Sequence, residues 1–556
     1  MTSQPTVLGI NRTQDASICL LRGQEIIWNI QKERLTRVKR HWGALDDLRD
    51  CYLPRLPELS EPVDLVVECY SSDPEVRNLS TYRTEIDELI RFRGAPRVEQ
   101  VSHHLTHLYS AFFPSPFDEA AVMVIDCQGS PVKDFVEDWP DRQSVPAEWL
   151  EVSSFYVCRR DGRIECRAKQ LWDRDPRRLV GLGHFYRILT KAIFPGRGNE
   201  GKVMGLAPYG RPGSLGLPPL IVDGYEVLIP DAWLDLLFNE TRFRFSEENL
   251  LAAADLAAEG QQAFEEAILE LTRRFRADTG LSSLCLAGGC ALNCAANGRL
   301  IRESGFERVF VPPSPHDGGT ALGCALYGMR EILGNDPGFR WEIDYLGPRH
   351  DVDAIRRELE QIDKGVLILE EPASLADRVA ELLEQQSIVG LFQGRSESGP
   401  RALGNRSFLA DPRSPAMWRW INERIKSREA FRPLAPAVRE ELAPTYFDVD
   451  QPSPFMQFAV DVQPAWREVL GAVTHVDLTA RIQTVTPRQN PFLYELLLAF
   501  EKRTGLGVVL NTSFNRREEP IVETAGDALR CFLGTDLHAL AMPPFLLRKR
   551  EEPPRP

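Results

Sequence analysis

Three of the nine histidines of the chain fall within five positions, in the stretch "SHHLTHLYSAFF" at 102–113. If this stretch is a helix, His103 and His107 share one face because they lie four residues apart, while His104 lies to one side. The apolar face would lie roughly opposite these two imidazoles, and it consists of Leu105, Leu108, Tyr109 and Phe112. The spacing suits two ligands of one divalent metal ion; a solvated helix face that carries imidazoles is the alternative.

A metal ion needs further ligands, and two aspartates are placed to provide them. Asp126 ends the apolar stretch "EAAVMVID", and Asp317 lies in "PHDGGTALG", where a glycine-rich turn opens a predicted helix. Two histidines with two aspartates suit iron, zinc or manganese, with positions left open for a substrate oxygen. Taken singly, each aspartate is also explained by turn or N-cap chemistry.

The densest cluster of cations lies in the C-terminal part of the chain. The stretch "GRSESGPRALGNRSFLADPR" (394–413) has four arginines among glycines, prolines and small polar residues. Further candidates are Lys426, Arg428, Arg432 and Arg481, followed by Asn511 and Ser513 at a predicted strand end. The guanidinium fork recognises phosphate and carboxylate. The cluster therefore predicts a site for a small multi-anionic ligand; arginines on a solvated face are the alternative.

Two other glycine-rich loops could approach a nucleotide. "GRGNEGKV" (196–203) has the glycine and lysine spacing of a phosphate loop, but Val203 has no hydroxyl for magnesium and no clear strand precedes it. We therefore do not interpret it as a phosphate-binding loop, although Glu200 and Lys202 could still lie near a nucleotide. In "LAGGCALN", Gly288 and Gly289 permit close approach of a ribose or phosphate, or simply tight packing of a turn.

The bulk properties restrict the class of protein. The net charge of −14 argues against general binding of nucleic acid. No apolar run approaches the length of about 18 residues that a membrane span needs, and the start "MTSQPTVLGINR" lacks a signal pattern. The eleven cysteines are scattered and form no C-x-x-C pair. We expect reduced thiols in a cytoplasmic protein that does not act at a membrane.

Alternating strand and helix signals predict an α/β or α+β fold that positions these residues. A three-stranded meander is expected over 7–30, and a further strand over 119–126. The first strand of the meander and the strand at 119–126 each run into Asn or Asp and a polar turn. This similarity hints at a duplicated half-domain. A long helix is expected over 246–277, followed by two strand–turn–helix units that contain Gly288 and Asp317. A domain boundary is expected within 331–350, which mixes proline, glycine and polar residues.

Taken together, these motifs resemble the carbamoyltransferase family that includes the nodulation and antibiotic O-carbamoyltransferases. The resemblance covers nearly the whole chain, in the order of the family. It is carried by "HHLTH", "AFFPSPFDEAAVMVID", "NEGKVMGLAPYG", "GGCALN", "PPSPHDGGTALG", "YLGP", "GRSESGPRALGNRSFLADPR", "KSREAFRP" and "VVLNTSFN".

The resemblance implies two domains with separate chemistry. Residues 1–342 would form an ASKHA-fold domain, ribonuclease H-like and duplicated, and residues 343–556 a YrdC-like α/β domain. The second would form carbamoyladenylate from carbamoyl phosphate and ATP with Mg²⁺. The first would pass the carbamoyl group to a hydroxyl of a small-molecule acceptor, a secondary metabolite such as an antibiotic or a sugar-bearing natural product. The resemblance leaves the oligomeric state unknown.

The resemblance also implies roles for particular residues. Iron(II), or another divalent transition metal, would be bound by His103, His107, Asp126 and Asp317. Carbamoyl phosphate and ATP would be bound by Arg401, Lys426, Arg432, Arg481, Asn511 and Ser513, with Lys426 and Arg432 as catalytic groups. Apart from the resemblance, we also expect nucleotide contacts from Glu200, Lys202, Gly288, Gly289 and Asn293.

One departure from the family lies directly after the first strand. Where relatives usually have His-Asp, this chain has Gln14 and Asp15. Gln14 can orient a carbamoyl group or acceptor by hydrogen bonding, but it cannot act as a general base near pH 7. Proton transfer would then fall to Asp15, to another group such as His316, or to the metal and phosphate.

Two other functions stay open from the sequence. A tRNA-threonylcarbamoylating enzyme of related fold would need a basic surface, against which the net charge of −14 argues. A non-catalytic ASKHA nucleotide-binding regulator would bind ATP without releasing pyrophosphate when carbamoyl phosphate is added.

Overall fold

The chain forms two compact α/β units. The computed structural model describes residues 4–69, 79–361 and 365–556. The first unit extends to Trp341 but leaves out residues 37–39, which belong with residues 342–556 in the second unit. The α/β class predicted from the sequence is confirmed.

The first half of unit 1 is a five-stranded sheet in the order β3-β2-β1-β4-β5. Its central strand β1 is buried along its whole length, as its apolar residues require. The elements are β1 (Thr6–Asn11), β2 (Ser17–Arg22), β3 (Glu25–Gln31), α1 (Lys32–Thr36), β4 (Leu65–Cys69), α2 (Leu79–Leu89), β5 (Val98–Gln100) and α3 (His103–Ala111).

The second half of unit 1 has a five-stranded sheet in the order β12-β11-β6-β7-β8 and a small hairpin, β9 with β10. Its longest helix, α7, ends at Gly280 in the left-handed conformation usual after a helix. The elements are β6 (Glu119–Ile125), β7 (Leu150–Arg159), β8 (Ile164–Trp172), α4 (Gly181–Ile193), α5 (Glu200–Leu206), β9 (Ile221–Asp223), β10 (Glu226–Leu228), α6 (Asp231–Asn239), α7 (Leu250–Thr279), β11 (Ser283–Ala287), α8 (Cys294–Glu303), β12 (Arg308–Phe310) and α9 (Thr320–Tyr327).

The two sheets of unit 1 repeat one topology. In the first, β1, β2 and β3 form an antiparallel meander, and β4 and β5 continue the sheet in parallel on the other side of β1. In the second, β6, β7 and β8 form the meander, and β11 and β12 continue in parallel beside β6. This is the ribonuclease H-like order, present twice, so the duplicated ASKHA fold is confirmed.

Unit 2 is built on one mixed eight-stranded sheet, in the order β13-β22-β21-β14-β15-β20-β16-β19, as expected of a YrdC-like α/β domain. A two-stranded sheet pairs β17 with β18. The elements are α10 (Val352–Glu360), β13 (Leu367–Glu370), α11 (Leu375–Glu384), β14 (Val389–Phe392), β15 (Arg406–Ala410), α12 (Pro415–Trp420), β16 (Ala435–Arg439), α13 (Ala443–Tyr446), β17 (Ala459–Asp461), β18 (Thr479–Arg481), β19 (Gln483–Val485), α14 (Pro491–Thr504), β20 (Val508–Ser513), α15 (Ala525–Leu533), β21 (Ala539–Met542) and β22 (Phe545–Lys549).

Helix α3, which carries the three histidines, is buried on every side. All nine of its residues are buried, because α3 packs against α9 on one side and against β6 and β11 of the second half on the other. The predicted helix is confirmed. The imidazoles do not point away from the core and the helix has no solvated face, so both of those expectations are wrong. No helix among the described residues is long and apolar enough to cross a membrane.

Candidate metal centre and anion site

The four predicted metal ligands meet in unit 1. One ligand atom from each of His103, His107, Asp126 and Asp317 lies within 4.8 Å of the other three. Nε2 of His103 lies 3.1 Å from Nε2 of His107 and 3.2 Å from Oδ2 of Asp126. Oδ1 of Asp317 lies 3.4 Å from Nε2 of His103 and 3.8 Å from Nε2 of His107. We call these four side chains the ligand cage.

The dimensions of the ligand cage fit a transition-metal ion. Two ligand atoms that each lie about 2.1 Å from one ion are about 3.0 to 3.4 Å apart at octahedral or tetrahedral angles. The distances between the imidazole nitrogens and carboxylate oxygens run from 3.2 to 3.8 Å. Two imidazoles with two carboxylates are a donor set for iron, zinc or manganese. Apart from the 3.8 Å between Asp317 and His107, these distances match such geometries, so the side chains present suit an ion of this kind in donor type and spacing.

Three separate elements bring the ligands together. Helix α3 places His103 and His107 one turn apart, and Asp126 directly follows strand β6. Asp317 precedes helix α9, which approaches α3 closely because Gly323 has no side chain. A Cβ at Gly323 would lie 2.0 Å from the carbonyl oxygen of Thr106 on α3.

Each carboxylate of the cage is held by its second oxygen. Oδ1 of Asp126 accepts hydrogen bonds from the backbone N–H of Cys127 at 2.7 Å and of Gly289 at 3.4 Å. Oδ2 of Asp317 accepts a hydrogen bond from the Thr13 hydroxyl at 2.8 Å. One oxygen of each aspartate is thus left to face the imidazoles. Thr13 lies in the polar turn after β1, where the sequence has no local signal of this contact.

The electrostatics of the cage favour positive charge. Burial alone would raise the pKa of Asp126, but hydrogen bonds from His103 and His107 outweigh it and hold the pKa well below its ordinary value. Burial alone would lower the pKa of His103, but the carboxylates of Asp317 and Asp126, with Cys69, hold it well above its ordinary value. A divalent cation at this position would replace those protons.

Asp15 lies beside the cage with an unusual environment. Burial raises the pKa of Asp15 to about 7, against the opposing effect of Arg40 and with support from Glu33 and Asp317. Its Oδ2 lies 4.0 Å from Nε2 of His316. A carboxyl that titrates near neutral pH can accept or donate a proton. Gln14 is half-buried between Thr13 and Asp15.

The predicted nucleotide contacts of unit 1 have structural roles of their own. A Cβ at Gly288 would lie 2.3 Å from the carbonyl oxygen of Ile125, so packing of this turn requires glycine. Asn293 caps helix α8 and exchanges two hydrogen bonds with Gln261. Gly289 donates to Asp126. Contact of these three residues with a nucleotide stays a prediction.

Glu200 and Lys202 lie at the first turn of α5. Oε2 of Glu200 lies 3.3 Å from Nη1 of Arg40. The ammonium of Lys202 lies 5.4 Å from the ring centre of Phe194. Glu200 and Lys202 are both half-buried, and their proximity to a nucleotide stays a prediction.

In unit 2, Lys426 is a buried cation with neutral partners. Its ammonium donates to the carbonyl oxygen of Ser513 at 2.6 Å, to the hydroxyl of Ser513 at 3.0 Å and to Oδ1 of Asn515 at 3.2 Å. Burial, then the neighbouring charges of Arg428, Lys39 and Arg432, hold its pKa well below its ordinary value. Among the described residues no carboxylate pairs with it. A bound anion beside Lys426 would favour its charged form, so its predicted role in phosphate binding stays a prediction.

Two of the other predicted phosphate ligands also have unsatisfied polar atoms. Arg481 ends β18, and its buried Nε has no hydrogen-bond partner in the described part of the chain. Asn511 is fully buried; its amide N–H₂ donates to Ala402 and Gln483, while its Oδ1 accepts no hydrogen bond from a described residue. Burial and the charge of Arg432 hold the pKa of Arg428 well below its ordinary value, and Arg481 adds to the same effect. We call Lys426, Arg428, Arg432 and Arg481 the cation cluster.

The arginines of the 394–413 stretch correct part of the sequence analysis. Arg395 donates to two backbone carbonyls, Arg406 is buried and donates to four, and Arg413 pairs with Asp411. These three arginines stabilise the fold, a role that neither the predicted ligand site nor the alternative of a solvated face includes. Arg401 is half-buried, and its role in binding stays a prediction.

Comparisons with known proteins agree with the motifs. The model of the carbamoyltransferase N-terminus matches residues 65–326, and that of the carbamoyltransferase C-terminus matches residues 380–549. The chain is 34% identical to nodulation protein NolNO of Sinorhizobium fredii, over 97% of this chain and 80% of the relative. It is 38% identical to nodulation protein NolO of Bradyrhizobium diazoefficiens, over 81% of this chain and 79% of the relative.

Among solved structures, full-length HypF in its phosphate- and nucleotide-bound form matches 61% of this chain and 57% of its own, with 14% identity and a TM-score of 0.38. The two family models cover the ligand cage and the cation cluster, and NolNO and NolO each align over most of their own length. The chain therefore belongs to the carbamoyltransferase family and is a carbamoyltransferase.

Proposed function

We propose that the protein is an ATP-dependent O-carbamoyltransferase of secondary metabolism. Unit 2 makes carbamoyladenylate from carbamoyl phosphate and ATP, and unit 1 transfers the carbamoyl group to a hydroxyl of a small molecule, such as an antibiotic or a sugar-bearing natural product. The observation that carries this proposal is the ligand cage, whose four ligand atoms lie within 4.8 Å of one another inside a carbamoyltransferase fold.

The ligand cage would hold iron(II) or another divalent transition metal. A bound ion of this kind supplies Lewis acidity that polarises a carbonyl group. The chain's part is to orient the ligands: Thr13 fixes Asp317, and the N–H groups of Cys127 and Gly289 fix Asp126. Such hydrogen bonds to ligands strengthen metal binding.

Beside the cage, Asp15 is the best-placed group to take the proton of the acceptor hydroxyl. Its raised pKa matches the operating pH of a general base, which a glutamine at position 14 cannot replace. We assign Gln14 to orientation of the carbamoyl group or the acceptor by its amide. If Gln14→Ala retained both full turnover and full acceptor affinity, that assignment would be dropped.

In unit 2, the cation cluster would bind the phosphate groups of carbamoyl phosphate and Mg²⁺-ATP. Its charges lie in a partly buried environment, where each interaction with phosphate is stronger than in water. Lys426 and Arg432 would stabilise charge that develops during adenylation; Arg401, Arg481, Asn511 and Ser513 would position the substrates. The eleven free cysteines suit a reducing cytoplasm, where we place the enzyme.

The most direct test is an acceptor screen. Purified protein is incubated with ATP, Mg²⁺, carbamoyl phosphate and iron(II), and candidate alcohols are examined by mass spectrometry for the gain of one carbamoyl group. We expect carbamoylated product with a hydroxylated natural product and none without carbamoyl phosphate. Product on tRNA alone would favour the threonylcarbamoylating alternative. ATP binding without release of pyrophosphate would favour the regulator.

The metal centre has its own test. Wild-type protein is expected to bind one equivalent of a divalent transition metal, and His103→Ala/His107→Ala is expected to lose it, because two of four ligands are removed. His41→Ala, which removes an imidazole that bonds Thr36 instead, is the matched control. An unchanged metal content in the double variant, measured by elemental analysis, would exclude the ligand cage as the metal site.

A further inference from the structure

A buried network of charged side chains lies behind the first turn of α3. The ammonium of Lys169, on β8, lies 2.7 Å from Oε2 of Glu151 on β7 and 2.9 Å from Oε1 of Glu137. It also donates to the hydroxyls of Ser154 and Tyr156, both at 3.0 Å. The side chains of Lys169 and Glu151 are completely buried, and that of Glu137 is 9% exposed. None of these residues belongs to the ligand cage.

This network supplies the cap that α3 lacks locally. The N-cap residue Ser102 accepts no N–H of the helix with its own side chain. Instead, Oε1 of Glu151 accepts the backbone N–H of His104 at 3.0 Å and that of Ser130 at 3.1 Å. The hydroxyl of Ser130 accepts the backbone N–H of the metal ligand His103 at 2.9 Å. A carboxylate at this helix end also interacts favourably with the helix dipole.

The side chains of the same turn join the network as well. Nδ1 of His104 lies 2.7 Å from the hydroxyl of Ser154, which Lys169 also contacts. The hydroxyl of Ser102 lies 3.4 Å from Oε2 of Glu137. Residues 102, 103 and 104 are therefore all attached to side chains of the second sheet and the loops beside it, so the second half of unit 1 determines the position of the helix start.

Stability alone is a weak reason for such a network. Removing two or three charges from water costs several kcal/mol each, and well-packed apolar residues are often as good or better. A buried charged network instead fixes one geometry, because every alternative leaves a charge unpaired. At a metal site, a defined geometry of the ligand helix is what ion affinity requires.

We infer that Lys169, Glu151 and Glu137 are positioning residues of the metal centre, which hold the first turn of α3 so that Nε2 of His103 faces the ion. The inference rests on the proposed metal centre. It gives the third histidine of the motif a function: His104 ties the turn to Lys169 through Ser154 and does not bind metal itself.

The test is metal affinity. In Lys169→Met/Glu151→Gln, one positive and one negative charge are removed together, and the glutamine retains an acceptor for the two N–H groups. The matched control is Lys32→Met/Asp47→Asn, another buried ion pair of unit 1, whose aspartate accepts the N–H of Ala44. Metal-free proteins are titrated with Co²⁺ and followed by its visible absorption. We expect Co²⁺ to bind Lys169→Met/Glu151→Gln about tenfold more weakly than wild type, and to bind the control variant with wild-type affinity.

A milder variant keeps the test decisive if the double variant does not fold. Ser130→Ala removes only the acceptor of the His103 N–H and is expected to weaken Co²⁺ binding several-fold, with the far-ultraviolet circular dichroism of wild type. Wild-type affinity in both folded variants would overturn the inference while leaving the metal centre intact. Unchanged Co²⁺ binding by His103→Ala/His107→Ala would instead remove the metal centre, and this inference with it.

Discussion

Three properties distinguish Asp15 from an ordinary carboxylate. Its backbone is in the left-handed region, with φ of 52°, its side chain is 13% exposed, and burial raises its pKa to about 7. Strained backbone and displaced pKa values both concentrate at functional sites. At the scale of single residues, we expect the charge state of Asp15 to make the clearest contribution in unit 1 to the pH dependence of stability.

We expect Asp15→Asn to stabilise the metal-free protein at high pH but not at low pH. Because the pKa rises on folding from its ordinary 3.8 to about 7, folding is penalised only when the carboxyl must ionise. The penalty is absent below about pH 4, grows as the pH rises and is complete above about pH 7, at up to about 4 kcal/mol. Urea unfolding with chelator present measures it. The exposed Asp141→Asn is the control, and an equal difference from wild type at both pH extremes would contradict the prediction.

Lys426 should govern anion binding by unit 2. Lys426→Met removes a buried ammonium whose only described partners are neutral, so we expect affinity for ATP and carbamoyl phosphate to fall by about two orders of magnitude. The ligand-induced rise in melting temperature should disappear. Lys549→Met is the matched control, because Lys549 is half-buried and bonds a backbone carbonyl, that of Thr535. A ligand-induced shift of wild-type size in Lys426→Met would refute the role.

At the scale of elements, the contact between α3 and α9 holds the histidines of α3 beside Asp317. We expect Gly323→Ala to separate the helices, since its Cβ would lie 2.0 Å from a backbone oxygen of Thr106 that cannot move independently. The cost should be about 1 to 3 kcal/mol in the free energy of unfolding, with weaker metal binding. Gly94→Ala, at a position with open space around it, should change neither quantity. Denaturant unfolding and Co²⁺ titration measure both; an unaltered affinity would show that the helix contact does not set the cage.

Local patterns predicted the elements that carry the ligand cage. His103 and His107 lie on a helix, Asp126 follows a strand and Asp317 precedes a helix, as predicted, because helical and strand periodicity are local properties. Their role as metal ligands stays a prediction. Burial of α3 was not predictable in this way, since it depends on packing against α9, β6 and β11, which all follow α3 in the chain. The capping of α3 by Glu151 joins residues 47 positions apart and has no local signal either.

At the scale of the whole molecule, the proposed half-reactions should be separable by mutation. We expect His103→Ala/His107→Ala to retain release of pyrophosphate dependent on carbamoyl phosphate, while losing carbamoyl transfer to the acceptor. Lys426→Met should lose both, because it removes formation of the carbamoyladenylate. Wild type and His41→Ala serve as controls, with pyrophosphate and carbamoylated acceptor measured in the same reaction. Loss of pyrophosphate release in the histidine variant would contradict the division of labour.

The family and the α/β class could be recognised from sequence because long motifs keep their order across both units. The contribution of individual arginines could not be recognised from sequence. Arg395, Arg406 and Arg413 differ from the cation cluster only in their three-dimensional partners. Residues 37–39 illustrate the same limit, because they lie within the first unit in sequence yet belong to the second in space.

The ligand cage draws on both halves of a duplicated fold. His103 and His107 end the first half, whereas Asp126 and Asp317 belong to the second. An ion bound there would link the two halves of unit 1 and stabilise the folded state by about 2.7 kcal/mol at a hundredfold excess over its dissociation constant. Metal supply would then affect how long the enzyme stays folded as well as its rate. Loss of the ion would first be visible as faster amide hydrogen exchange along α3 and α9.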